Sequence, residues 1–332
     1  MKGHKKTTIN EIAKMAGVSS AAVSRYLNNG YISDEKREQI RKVIEETGYQ
    51  PSLQAQMLRT KKTKLIHVIL TASPMENRQE ILTGISRTLN HEGYDILLSV
   101  LDDCCTSSLA TAITGTKARG TDAILFITDL LQEGMREILQ KSELPVLLCG
   151  TTDTAFSSVC YDNAAASEAI TNALLSQGSC KTAYIGITPN YPECGARRFE
   201  GYKNALTKKG IPMDTKLIKI CDNSIADGFQ ATESLIKICS GIDGIICGTD
   251  LLAAGARKYL MQHQTSCQIL LTSFGNTELR LAADPVYASV FTDGELLGQA
   301  AATQLTTNLA TTPDSPVHTI LMPEIISDTL DR

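Results

Sequence analysis

A small helical head joined to a doubly wound α/β body is the architecture the sequence predicts, and three observations predict it. The first is a change of pattern at Leu65, where short amphipathic helical stretches give way to apolar runs alternating with helical ones. The second is the charge: residues 1–64 hold 13 Lys plus Arg against 6 Asp plus Glu, and the rest holds 19 against 30. The formal net charge of −4 therefore hides a basic head on an acidic body, the footprint of a polyanion-binding module joined to a unit with another task. The third is size: 332 residues, 42% hydrophobic and 20% charged, suffice for two or three folded units without disulfide staples.

In the head, Thr8-Ile9-Asn10-Glu11 has the form of a capping box, so a helix starts after Thr8 with Ile9, Ile12, Ala13 and Ala16 as its apolar stripe. Gly17 stops it, Val18 turns inward, and Ser19 caps a second helix whose inner face is Ala22, Val23 and Leu27. A third helix runs from a cap at Ser33 through Ile40, Val43 and Ile44 to Gly48. Helix, tight glycine turn and helix make a helix-turn-helix, whose second helix lies in the DNA major groove. Ser20, Ala21 and Arg25 face outward there and are the candidate base readers, with Arg25 suited to bidentate contact with guanine. Thr8, Ser19, Ser24 and Asn28 are the candidate phosphate contacts, which fix register without reading sequence; helix capping is their alternative role.

In the body, Leu65–Leu70, Ile96–Leu101, Ala123–Ile127 and Val146–Cys149 read as strands, with a helix over Ile81–His91. The rhythm repeats at Thr182–Ile187, Leu217–Cys221, Gly244–Cys247 and Ile269–Thr272. Buried strands joined by helices imply parallel sheets, and ligands of such sheets bind at the carboxyl ends of the strands.

Several function classes are disfavoured. No apolar run reaches membrane-spanning length and the basic start lacks a signal-peptide core, so the expected location is cytoplasmic, with no membrane partner. The ten cysteines all lie at or beyond Cys104 without a C-x-x-C pair, and are expected to be reduced; Cys104-Cys105 is the exposed exception. The five histidines are scattered, and no P-loop, H-E-x-x-H or G-x-G-x-x-G pattern occurs, so no catalytic residue, metal site or cofactor is expected.

The run Ile12-Ala13-x-x-Ala16-Gly17-Val18-Ser19-x-x-x-Val23-Ser24-Arg25-x-Leu27-Asn28 resembles the head of the LacI/GalR bacterial transcription repressors. Gly48-Tyr49-x-Pro51-Ser52-x-x-Ala55-x-x-Leu58 resembles that family's linker and hinge helix. Further landmarks are Asp162-Asn163, Arg198-x-x-Gly201-Tyr202, Asp250-x-x-Ala253-x-Gly255 and Gly298-x-x-Ala301-Ala302, so the resemblance spans nearly the whole chain.

The resemblance implies a regulator with a head over 1–50, a hinge helix and linker over 51–64, and an effector-binding and dimerisation body over 65–332. The body's subdomains would be 65–163 plus 293–323, and 164–292. It implies a homodimer on a pseudopalindromic double-stranded operator, with Ala55, Leu58 and Arg59 in the minor groove and Leu58 as the wedge. It places the effector at Arg198, and further at Asn77, Arg78, Cys194, Asn223, Thr249, Phe274 and Gly275.

Asn276 stands where many members carry an effector-binding Asp, and the Gly-Asn-Thr run is similar to the sucrose and trehalose repressors of the family. A disaccharide or its 6-phosphate is the leading expectation, with Arg78 and Arg198 as phosphate anchors. The alternatives are a protein corepressor, a sugar-binding protein without a regulatory role and a sugar-handling enzyme; activation in place of repression stays open.

Overall fold

The computed structural model describes residues 7–27, 30–49, 62–71, 77–101, 106–179, 181–263, 269–275 and 287–327. The expected roles of Asn28, Ala55, Leu58, Arg59, Asn276 and the Cys104-Cys105 pair fall outside those residues. The chain divides into a unit ending at Thr63 and a unit beginning at Lys64.

In the first unit, α1 (Ile9–Met15) opens with the complete capping box: the Glu11 amide donates to Thr8 Oγ1 at 3.3 Å and the Thr8 amide to Glu11 Oε2 at 2.7 Å. Gly17, at φ +65°, takes the left-handed turn that lets the Val18 amide return to the Ala13 carbonyl at 3.0 Å. Ser19 caps α2 (Ser20–Leu27) by accepting from the Ala22 amide at 3.2 Å. Ser33 holds the expected cap position of α3 (Asp34–Thr47), without a side-chain bond. The acidic Asp34 and Glu35 of the first turn favour the helix start in its place. Ile12, Ala22, Val23, Ile40 and Val43 close one small core.

The second unit begins with β1 (Leu65–Thr71), α4 (Arg78–His91), β2 (Asp95–Leu101), α5 (Thr106–Arg119), β3 (Ala123–Ile127), α6 (Glu133–Gln140), β4 (Val146–Cys149) and β5 (Ser157–Tyr161). It continues with α7 (Asn163–Ser176), β6 (Thr182–Ile187), α8 (Arg198–Lys208), β7 (Ile218–Cys221), α9 (Ile225–Ile238), β8 (Gly244–Cys247), α10 (Asp250–His263), β9 (Leu270–Gly275) and β10 (Ala288–Phe291). Last come α11 (Gly294–Thr311), β11 (His318–Leu321) and β12 (Glu324–Ser327).

The strands form two six-stranded sheets, in the orders β11-β5-β4-β3-β1-β2 and β12-β10-β9-β8-β6-β7. Alternate residues of each strand face opposite helical layers. In the first sheet Val68, Leu125 and Leu147 pack under α4 and α11, while Ile69, Ile124 and Leu148 pack under α5 and α6. In the second, Ile185 and Ile245 meet α9 and α10, and Tyr184 and Ile246 meet α7 and α8.

Every pairing is parallel except β10 with β12. The exception follows from connectivity. β11 leaves the first sheet at its carboxyl edge, and only Met322 and Pro323 separate it from β12. A strand entering the second sheet at that sheet's own carboxyl edge must run against its neighbours.

Candidate functional site

On the head, Ser20, Ala21 and Arg25 of α2 are exposed while Ala22 and Val23 are buried, so the candidate readers share one outer face. Ser20 Oγ donates to Asn10 Oδ1 of α1 at 2.8 Å, so its hydroxyl would have to share or exchange that bond to reach a base. Thr8 and Ser19 are exposed and serve as caps, and Ser24 is half-buried.

In the body the chain passes between the two halves at Asp162, at Thr292–Asp293 and at Met322–Pro323. A cleft, partly open to solvent, lies beside these crossings. Its lining includes residues just beyond strand ends: Asp129 after β3, Gly150 after β4, Thr249 after β8 and Thr292 after β10. The carboxyl edges of both sheets therefore meet at one site.

Asn77, Cys194, Arg198 and Thr249 are the expected contacts that line this cleft. Arg198, the first residue of α8, is 8% exposed. Its Nε donates to Asn163 Oδ1 at 2.9 Å and its Nη1 to the Gly248 carbonyl at 2.5 Å. The guanidinium carbon lies 4.5 Å from the centre of the Phe274 ring. Phe274 thus supports the arginine from behind, at the end of β9 beside Gly275. A planar cation stacked on a ring and pinned at two edges holds its remaining donors at fixed angles.

Thr249 Oγ1 donates to Asn223 Oδ1 at 2.7 Å, so Asn223 stands behind Thr249. Asn77 lies in the left-handed region at φ 59° and donates through Nδ2 to the Thr292 carbonyl at 2.8 Å. Half-buried Arg78 opens α4 and is not among the described lining residues.

Asp129, Tyr161, Asn163 and Glu193 also line the cleft, and sequence reasoning assigned none of them a ligand role. Asp162 caps α7 by accepting from the Ala165 amide at 2.9 Å, which sets Asn163 in the first turn. There Asn163 Nδ2 donates to the Tyr161 carbonyl at 3.3 Å. Tyr161 donates its hydroxyl to the Asp293 carbonyl at 2.8 Å, and burial, with the Asp293 charge second, raises its phenol to about 12.

Glu193 comes from a wide helical turn of π type, Pro192–Arg197. That turn presses Gly195 so close to Thr188 that a Cβ would come within 2.1 Å of the Thr188 carbonyl oxygen. Glu193 is 6% exposed; burial pushes its carboxyl above the usual range, against the opposing pull of Arg197, Asn163 and Arg198. A position after β3 marks Asp129 as a candidate from sequence, whereas the turn that presents Glu193 has no sequence signature.

Cys149, Cys160, Cys194 and Cys247 are buried. No group of potential metal ligands occurs among the described residues. Among the described residues no helix is long and apolar enough to cross a membrane.

Residues 64–319 match the family described as periplasmic binding proteins and sugar binding domain of LacI family, and residues 8–52 match bacterial regulatory proteins, lacI family. Catabolite control protein A of Priestia megaterium is 28% identical over 304 residues, covering 90% of this chain and 91% of that protein. The sucrose operon repressor of Staphylococcus xylosus is 24% identical over 304 residues, covering 90% of this chain and 92% of that one. A lac repressor dimer bound to operator and an anti-inducer shares the fold, with a TM-score of 0.79 at 20% identity over 97% of this chain and 98% of that one. Together the two matched segments take in the head, most of both sheets and the residues described as lining the cleft, and the chain belongs to the LacI family of bacterial regulatory proteins.

Proposed function

We propose that the protein is a sequence-specific DNA-binding repressor of a carbohydrate-utilisation operon, with operator affinity set by a small sugar or sugar phosphate in the cleft. The observation that carries this reading is the buried, ring-stacked Arg198 in a polar cleft at the carboxyl edges of two sheets. It stands in a chain whose head presents Ser20, Ala21 and Arg25 on one exposed helix face. The sucrose operon repressor among the relatives supports the ligand class.

Residues 1–50 read DNA, 51–64 form the hinge helix and linker, and 65–332 bind effector and dimerise, through subdomains 65–163 plus 293–323 and 164–292. The protein works as a homodimer in the cytoplasm, on the nucleoid when operator-bound, because one helix-turn-helix reads only a half-site. Ligand favours one arrangement of the two half-bodies, and that arrangement weakens operator binding. Coupling of this kind is typically about 1–3 kcal/mol, or about 5–150-fold, and is reciprocal.

The test is selection of sites from random DNA with the full-length protein, followed by operator titrations with and without sugars. The expected result is an inverted repeat, a relaxed preference at one position per half-site in Arg25→Ala at a cost of about 1–3 kcal/mol, and a change in affinity with at least one sugar. Equal binding to all DNA overturns the reading.

A further inference from the structure

Among the described residues, two carboxylates and one guanidinium line the cleft. Among the described lining residues Asp129, 4% exposed, and Glu193, 6% exposed, are acidic, and Arg198 is the basic one. They come from different places: Asp129 from the carboxyl edge of the first sheet, Glu193 from the π turn of the second half. Arg198 already gives Nε to Asn163 and one Nη1 hydrogen to the Gly248 carbonyl, and its face is taken by Phe274. Arg78, the other expected phosphate anchor, is not among the described residues lining the cleft.

Carboxylates accept hydrogen bonds and cannot donate them when ionised, so they match hydroxyl groups, and a sugar supplies these in adjacent pairs. A phosphate dianion would stand against two buried carboxylates, whose negative charges repel it. With Asn276 in place of a carboxylate, the sequence leaves a disaccharide and its 6-phosphate both open. In the folded chain Asp129 and Glu193 bring acidic groups to the same cleft by other routes.

We propose that the effector is an unphosphorylated, hydroxyl-rich molecule whose hydroxyls donate to Asp129 and Glu193 and accept from Arg198. This rests on reading the cleft as the effector site. Burial that holds the Glu193 carboxyl above its usual range agrees with a group that gains a donor when ligand enters.

The test is calorimetric titration of the full-length protein with trehalose, sucrose, maltose and cellobiose, each against its 6-phosphate. The expected result is binding of at least one free disaccharide, with its 6-phosphate at least about tenfold weaker. Glu193→Gln and Asp129→Asn should each weaken the free sugar about tenfold, the scale of a hydrogen bond to a charged group, with far-ultraviolet melts confirming that both variants fold. A 6-phosphate that binds as tightly as its free partner, or silence from all four free sugars at millimolar concentration, overturns the proposal. Arg198→Lys, which keeps the charge but loses the fork, separates the two ways of failing. Tight phosphosugar binding that this variant reduces leaves the cleft as the site and removes the charge argument. Binding that survives both Arg198→Lys and Glu193→Gln places the site elsewhere and removes both.

Discussion

The two halves of the body share a strand order yet stabilise their cleft walls differently. In the first half, the polar side chains at the cleft bond to backbone at the crossing from β10 to α11: Asn77 to the Thr292 carbonyl and Tyr161 to the Asp293 carbonyl. In the second, side chains also engage one another, with Arg198 on Asn163 as well as on the Gly248 carbonyl, and Thr249 on Asn223. One wall is braced against the chain crossing and the other is a charged network. A ligand can exchange bonds with the second wall at modest cost, whereas disturbing the first moves the crossing itself.

The comparison is broken most strongly by Arg198→Ala. Removing the guanidinium leaves Asn163 Oδ1 and the Gly248 carbonyl without their donor in a buried place and empties the space over Phe274. A loss of about 4 kcal/mol in unfolding free energy is expected from two abandoned acceptors and the missing volume. Sugar binding should disappear with it. A denaturant melt within about 1 kcal/mol of the unaltered protein would mean that the second wall is not held by this network.

Buried titratable groups sharpen the contrast, because the two halves respond to pH in opposite senses. His67 on β1 is 1% exposed, bonded through Nδ1 to Thr116 and through Nε2 to Ser99 at 2.8 Å. Burial, with the Arg119 charge second, lowers its pKa from 6.5 to about 4. A depressed folded value means that its contribution is fully present above about pH 6.5 and is lost as pH falls toward 4. Between pH 7 and 4 the protein should lose about 3 kcal/mol relative to His67→Gln. Parallel melts across that window check it, and parallel pH curves for the two proteins would exclude the buried neutral imidazole.

Close helix contact occurs in both halves, with Gly201 and Gly255 as the counterparts in the second, and in the first it lies beside the cleft. α4 and α11 of the first half meet where a Cβ on Gly298 would come within 2.1 Å of the Ile81 carbonyl oxygen. Gly298→Ala must push the helices apart at a cost of about 2 kcal/mol. Ile81 and Leu297 line the cleft from these helices, so sugar affinity should fall along with stability. A fall in stability with unchanged affinity would show that the first wall tolerates movement without affecting the ligand.

How much of this was legible in the sequence depends on whether the signal is local. The capping box at Thr8, the Gly17 turn and the apolar face of α2 lie within a few residues of one another, and pattern alone places them. The strands β3 and β8 announce themselves as apolar runs, and β1 as one interrupted at His67. β5 does not, because its Ser157 and Ser158 are buried by bonds to the Val317 amide and to His318, about 160 residues away. β12 runs antiparallel for a reason of connectivity that no window of sequence contains. At the cleft, Arg198 is legible through the family resemblance, which implies a ligand arginine four residues before Tyr202. Glu193 is not, since it depends on a π turn formed by packing Gly195 against Thr188.

The smallest expected effect has the opposite sign and isolates that turn. Glu193 has its carboxyl pKa raised in the fold, so its contribution is fully present below the unfolded value of about 4.5 and is lost as pH rises through the folded one. At pH 7 the buried carboxylate is therefore a net cost to the empty protein. Glu193→Gln removes the charge while keeping the shape, and should raise stability at pH 7. The gain should shrink toward zero near pH 4, where wild type is itself protonated. In saturating free sugar the order should invert, because the wild-type carboxylate then gains hydroxyl donors that the amide accepts more weakly. A residue that destabilises the empty cleft and stabilises the filled one couples ligand to conformation, and a variant that melts identically with and without sugar would remove Glu193 from that role.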